Sequence, residues 1–179
     1  MTTFRRVVTG HAPDGKSIIA SDTAIPSVAI PGLAGIELTT LWGADAPYHY
    51  PDDGTEASRR NWFPPVGGVR FISVVLPPDD TPADTSLTPD EIFAAAERLV
   101  PGLMGHFDEA NPGMHRSATT DMLYVLSGRC VLELDDGSKT ELHAGNVVVQ
   151  SGTNHRWKNP WSEPCHVIGC TVGALLANK

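Results

Sequence analysis

Six short β-prone runs separated by turn residues fill the chain between Met122 and Val172, and this cadence narrows the fold more than any other feature. The runs are Met122–Leu126, Arg129–Leu134, Lys139–Leu142, Val147–Gln150, His155–Lys158 and His166–Val172. Ser127-Gly128, Asp135-Asp136-Gly137, Ala144-Gly145, Ser151-Gly152 and Asn159-Pro160 punctuate them. Glycine, asparagine and aspartate adopt the tight-turn conformations that other residues resist, and Asp-Gly between apolar runs marks a hairpin. Short strands at even spacing predict an all-β sandwich or barrel.

The upstream half is less regular. Arg6–Thr9 and Ser17–Ala20 flank a Pro13-Asp14-Gly15 turn and predict a hairpin. Ile36 to Trp42 partly alternates, with Ile36, Leu38 and Thr40 on one face and Glu37 and Thr39 on the other. Val69–Leu76 predicts another strand, ended by Pro77-Pro78, while residues 43–68 read as loop. One helix is signalled. Thr88 is a good N-cap, Pro89 suits the first helical position and Glu91 closes a capping box. Ile92, Phe93, Ala96 and Leu99 give it an apolar face, Pro101-Gly102 stops it, and it is expected to pack on the outside of the sheet. Residues 1–111 are thus expected to form an arm, loops and one helix on a barrel core at 112–174, in one compact domain.

Charge and cysteine content exclude several function classes. A formal charge of -8, with basic doublets only at Arg5-Arg6 and Arg59-Arg60, leaves no footprint for nucleic acid or an anionic membrane. Cys130, Cys165 and Cys170 are an odd count without a disulfide framework. The opening MTTFRRVVTG lacks the apolar core of a signal peptide, and no run reaches the ~20 apolar residues of a membrane span, so a cytoplasmic location is expected.

The stretch PGMHRSATTDMLYVLSG, followed by LDDG and then AGNVVVQSGTNHRWKN, resembles the two conserved motifs of the cupin superfamily, of the single conserved-barrel, cupin 2 type. His115 matches the first histidine of the first motif, Asp121 stands where that family usually has glutamate, and Gly128 closes the strand. Gly152, His155 and Asn159 match the second motif, with Gly145 displaced by one residue. The resemblance implies a double-stranded β-helix, or jelly-roll, barrel that pairs as a homodimer, with N-terminal strands that cross to a neighbour. Ser117 replaces the second histidine of the first motif, and HRSATTD looks like a subgroup with His-Arg-Thr/Ser-x-Thr-x-Asp at this point.

Strand alternation puts His115, Ser117, Thr119 and Asp121 on one face if the run is extended, and one face of every strand in a small barrel points inward. Two imidazoles and a carboxylate there make a donor set for a divalent transition metal such as Zn, Fe, Mn or Ni, with positions left open for a substrate. His115, Asp121 and His155 are therefore the expected metal ligands, and Ser117, Thr119 and Trp157 the expected substrate contacts. Trp157 shares the face of His155, as a pocket floor for an apolar ligand or as a core residue. His143 is expected in solvent and Cys130 in the core; His166 is a weaker inward candidate, and His11, His49 and His106 have no local partner pattern. The expected activity is that of a metal-dependent enzyme on a small organic molecule, of lyase, decarboxylase, isomerase or dioxygenase type. The alternative is a non-catalytic small-molecule-binding module with a degenerate metal site.

Overall fold

The computed structural model describes residues 1–83 and 86–175. Eleven strands appear among them: β1 (Thr3–His11), β2 (Ser17–Pro26), β3 (Val28–Ala29), β4 (Glu37–Ala44), β5 (Val69–Leu76), β6 (Thr119–Ser127), β7 (Arg129–Leu134), β8 (Lys139–His143), β9 (Val147–Ser151), β10 (His155–Lys158) and β11 (Cys165–Gly173). One α-helix, α1 (Pro89–Leu99), precedes a single 3₁₀ turn at Met104–His106.

A six-stranded sheet in the order β3-β4-β5-β11-β6-β9 faces a three-stranded sheet in the order β10-β7-β8. The expected jelly-roll barrel is the fold, and every strand pair in it is antiparallel. β4 and β5, from the upstream half, complete the large sheet beside β11, so the barrel draws on both halves of the chain. β1 and β2 pair only with each other, as an arm. The arm is tied back where the Thr2 amide and the Ser27 hydroxyl donate to Glu37, at 2.7 and 2.8 Å.

Alternation sorts the side chains of the large sheet. Asp121, Leu123 and Val125 of β6 turn inward and are buried, while Met122, Tyr124 and Leu126 remain exposed on the outer face. Leu76, Leu123, Val125, Cys130, Leu142, Val148, Cys165 and Val167 fill one end of the barrel. A second cluster, of Ile30, Leu38, Trp62, Ile72, Ala96, Val100 and Leu103, closes the other.

Helix α1 has its predicted capping box and start, but only part of its expected apolar face is covered: Ala96 is buried and Ile92 half-buried. Ala96 and Val100 are buried, whereas Phe93 and Leu99 are 50% and 38% exposed. The two buried residues are four apart and make a narrow stripe, and Phe93 and Leu99 flank it. Ala96 and Val100 pack with Leu38 and Ile72, whose side chains line the barrel interior, so the helix lies across an open end rather than on the outer face of a sheet.

The irregular segment between β4 and β5 is held by one buried side chain. Arg70 is fully buried and donates to the carbonyls of Ala44, Asn61 and Val69, and it pairs with Asp45. A buried guanidinium stays folded only when its donors are met. Meeting them here fixes Trp62 and Phe63 against the barrel mouth.

Candidate functional site

Two motifs far apart in sequence meet through the backbone. The His115 amide donates to the His155 carbonyl at 2.8 Å, and the His155 amide donates back to His115 at 3.0 Å. This small antiparallel bridge sets the two imidazoles side by side, with ring centroids 4.3 Å apart. Phe107 bridges to the other side of His115 and tilts its ring 4.9 Å away. Trp157 stands edge-on to His155, two residues along β10.

Both histidines have a defined tautomer. Nδ1 of His155 donates to the Thr153 carbonyl at 2.9 Å, and Nδ1 of His115 donates to the Gly113 carbonyl at 3.2 Å. A carbonyl only accepts, so Nδ1 carries the proton and the neutral ring keeps its lone pair on Nε2. Burial and then the neighbouring His155 ring lower the His115 pKa to about 4, with the Gly113 carbonyl opposing and His106 adding least. Burial lowers that of His155 too, with Thr153 opposing.

Asp121 behaves in the opposite way. It is 6% exposed, and loss of water raises its carboxyl to about 6 although Thr119 donates to it. Its Oδ1 is buried without a hydrogen-bond partner, as is Oγ1 of Thr171. These two residues are direct cross-strand partners on β6 and β11.

His115, Asp121, His155, Trp157 and Thr171 all line one cavity of about 220 Å³. The rest of its wall is mainly apolar and aromatic, including Trp62, Phe63, Phe107, Leu123 and Val167. Such a wall with a few convergent polar groups is the usual composition of a small-molecule site.

The predicted residues are thus only partly gathered. His115 and His155 are adjacent, and Asp121 shares their cavity. Among the described residues, however, no three His, Cys, Asp or Glu side chains stand close enough together to hold a metal ion. The cause is local: the run from His115 to Asp121 is not one strand, because a bend at Ala118 separates the His115 bridge from β6. In donor type the residues do suit a divalent metal, with two Nε2 lone pairs and a carboxylate oxygen lacking a partner.

Of the expected substrate contacts, Trp157 lines the cavity. Ser117 and Thr119 are buried, and their hydroxyls bond to each other at 2.7 Å. The second-motif turn packs against them: Gly152 has a φ of 60°, and a Cβ there would come 3.3 Å from the Ser117 carbonyl. Asn159 is structural, since its side chain donates to the carbonyls of Leu76 and Glu163 and accepts from the Trp161 amide. His166 bonds to Ser73 at 2.6 Å and meets Phe4 of the arm, outside the cavity. Thr171, Trp62, Phe63 and Phe107 were not anticipated. For Thr171 a signal existed: a polar residue at an inward position of an apolar strand.

A family model described as a cupin domain matches residues 107–170. Oryzines biosynthesis cluster protein J of Aspergillus oryzae (strain ATCC 42149 / RIB 40) is 32% identical over 83 residues, covering 44% of this chain and 46% of that protein. Phomopsin biosynthesis cluster protein D of Diaporthe leptostromiformis is 40% identical over 76 residues, covering 40% of this chain and 38% of that protein. The matched stretch therefore spans less than half the length of each of these relatives. A solved Cupin 2 conserved barrel domain protein from Salinispora arenicola CNS-205 is 15% identical with a TM-score of 0.41, over 82% of each chain. No helix of the described residues is long and apolar enough to cross a membrane.

Proposed function

Starting from a chain that carries a cupin domain of the cupin 2 type over residues 107–170, we propose that it is an enzyme moving protons on a small, largely apolar, ring-bearing organic molecule held in the barrel cavity. One observation carries this reading: the cavity wall is aromatic and apolar except for groups whose burial favours their uncharged forms. A neutral imidazole with a free Nε2 accepts a proton. A carboxyl with its pKa near 6 donates one close to neutral pH. Base and acid in one dry site suit isomerisation or elimination, in which a proton leaves one atom and another is delivered nearby. Relatives named for biosynthesis clusters support a small organic ligand. The cavity of about 220 Å³ exceeds the ~150 Å³ that accepts benzene in an engineered protein, so two fused rings are a reasonable upper size.

Equilibrium dialysis with naphthalene and 2-naphthol tests the binding half of this reading. Saturable binding of at least one is expected, and binding of neither would overturn it. The catalytic half is tested by deuterium uptake next to the carbonyl of 2-tetralone in D₂O. Uptake above the buffer rate by the parent and not by His155→Ala supports an enzyme. Binding without uptake supports the non-catalytic module. Because Asp121 must be protonated and His115 neutral, uptake is expected to peak between about pH 4 and about pH 6.

A second reading keeps a metal, with His115, His155 and Asp121 as ligands. The two Nδ1–H bonds to backbone carbonyls favour it, since metal-binding histidines are commonly fixed in this way. Such an ion would supply Lewis-acid activation of the substrate, and Asp121 would have to turn toward the imidazoles. Elemental analysis of the purified protein, before and after dialysis at pH 5, distinguishes the readings. An ion held at one per chain and released by acid supports the metal.

A further inference from the structure

Two polar atoms in the cavity wall remain unexplained by proton transfer alone. Oδ1 of Asp121 and Oγ1 of Thr171 are both buried and unpartnered, in residues 6% and 2% exposed. They come from directly opposed positions on β6 and β11, and both residues line the cavity. Cross-strand partners have Cβ atoms about 5 Å apart, close enough to share one ligand group. A native fold rarely leaves one buried polar atom unpaired, and a carboxyl oxygen and a hydroxyl in register on a cavity wall need an account. Burying each without a partner forfeits the hydrogen bonds it would make to water.

From this pair we infer that the cavity selects a ring bearing a hydroxyl, phenolic or enolic, and that Thr171 determines the selection. The inference rests on the proposal that the cavity binds a small ring-bearing molecule. A ligand hydroxyl both donates and accepts, so it can donate to Oδ1 of Asp121 while accepting from Oγ1 of Thr171. It satisfies both orphaned atoms at once. A ligand carbonyl accepts only, and it has no hydrogen to give Oδ1 of Asp121. The remaining ring surface then meets Trp62, Phe63, Phe107 and Trp157, which contact carbon without preference for position.

The neighbouring rows explain why the selection falls to Thr171. Asp121 is opposed by Gln150 on its other side, but the Gln150 amide is turned to Thr153. Thr171 is opposed on its far side by Arg70, whose donors are taken by backbone carbonyls and Asp45. Thr119 is already engaged by Ser117 and by the Asp121 carboxyl itself. Thr171 is therefore the hydroxyl beside Asp121 that has no bond within the protein.

The test compares 2-naphthol with naphthalene by equilibrium dialysis on the full chain, in the parent, Thr171→Val and Thr171→Ser. The parent is expected to bind 2-naphthol at least tenfold more tightly than naphthalene. Thr171→Val, which keeps the shape and removes the hydroxyl, is expected to cut that preference fivefold or more while leaving naphthalene binding unchanged or tighter. Thr171→Ser should retain the preference. Equal binding of the two probes by the parent overturns the inference yet leaves the cavity reading standing, whereas binding of neither probe defeats the cavity reading itself. A thermal melt adds a check that needs no ligand. Removal of an unpartnered hydroxyl should leave Thr171→Val as stable as the parent or more so, and a clear loss would show that the hydroxyl has a partner and would overturn the inference.

Discussion

Replacing Asp121 by asparagine should change how stability depends on pH, because burial raises the pKa of this carboxyl in the native barrel. Its carboxyl titrates at 3.8 when unfolded and at about 6 in the native barrel, so the native state binds the proton more tightly. The associated stability is fully present below pH 3.8 and is lost as pH rises through about 6. Each pKa unit is worth 1.36 kcal/mol, so the loss is about 3 kcal/mol once both states are ionised. Asparagine has the same shape and does not ionise. The stability of Asp121→Asn relative to the parent should therefore rise by about 2.5 kcal/mol between pH 4 and pH 8, or roughly 5–10 °C in Tm for a domain of this size. Urea unfolding of both proteins at pH 4, 6 and 8 measures the difference. Effects of the histidines are common to both chains and cancel, as does any constant cost of the amide. A difference that stays flat with pH, or one that turns against asparagine at pH 8, would refute the reasoning. It would mean that the ionised carboxylate is paired or hydrated.

His115 should act with the opposite sign over much the same acid range: its depressed pKa withdraws stability as pH falls from 6.5 through about 4, so His115→Phe should flatten the acid limb of the same unfolding curve. Thr88→Ala removes one half of the capping box and should lower stability by ~1 kcal/mol in urea unfolding at pH 7. We propose that the apolar outer face carrying Met122, Tyr124, Leu126, Val147 and Val149, which ends in the edge strand β9, pairs with a second copy of the chain. Light scattering should then give a dimer for the parent and a monomer for Val149→Glu, and a monomeric parent would count against it.

Local signals reached the strands but not their partners. Val69–Leu76, Arg129–Leu134 and His155–Lys158 end where expected because turn residues bound them on both sides. The pairing of β5 with β11 joins Val69 to Val172, and no nearby residue announces a contact that distant. For the same reason the upstream strands could not be assigned to the barrel. Motif spacing did bring His115 to His155, since each motif supplies one side of the backbone bridge. It did not reveal the bend at Ala118, because alternation assumes an extended run. Gly128 shows what a motif glycine can be worth. Its φ is 71°, and a Cβ there would stand 2.3 Å from the Pro164 carbonyl, so the turn can approach β11 only without a side chain.

That bend also makes a prediction about metal, because it sets how far Asp121 stands from the imidazoles. If distance alone keeps the carboxylate out of the donor set, lengthening the side chain should help. Asp121→Glu adds one methylene, an extension of about 1.5 Å, on a residue that faces the cavity. Overfilling a packed core typically costs 1–3 kcal/mol, but here the added group enters open space. The two Nε2 lone pairs are unaffected, since Gly113 and Thr153 continue to hold the Nδ1 protons. Affinity for Zn or Ni at pH 7.5, measured by competition with a chromogenic chelator, should therefore rise at least tenfold in Asp121→Glu over the parent. It should fall again toward pH 5, where protons compete for the imidazoles. His155→Ala in the Asp121→Glu background should abolish the gain, which excludes a surface site. Unchanged or weaker affinity in Asp121→Glu would show that distance is not the obstacle. The cost of burying the carboxylate's charge, already visible in its raised pKa, would then be what keeps it from the imidazoles.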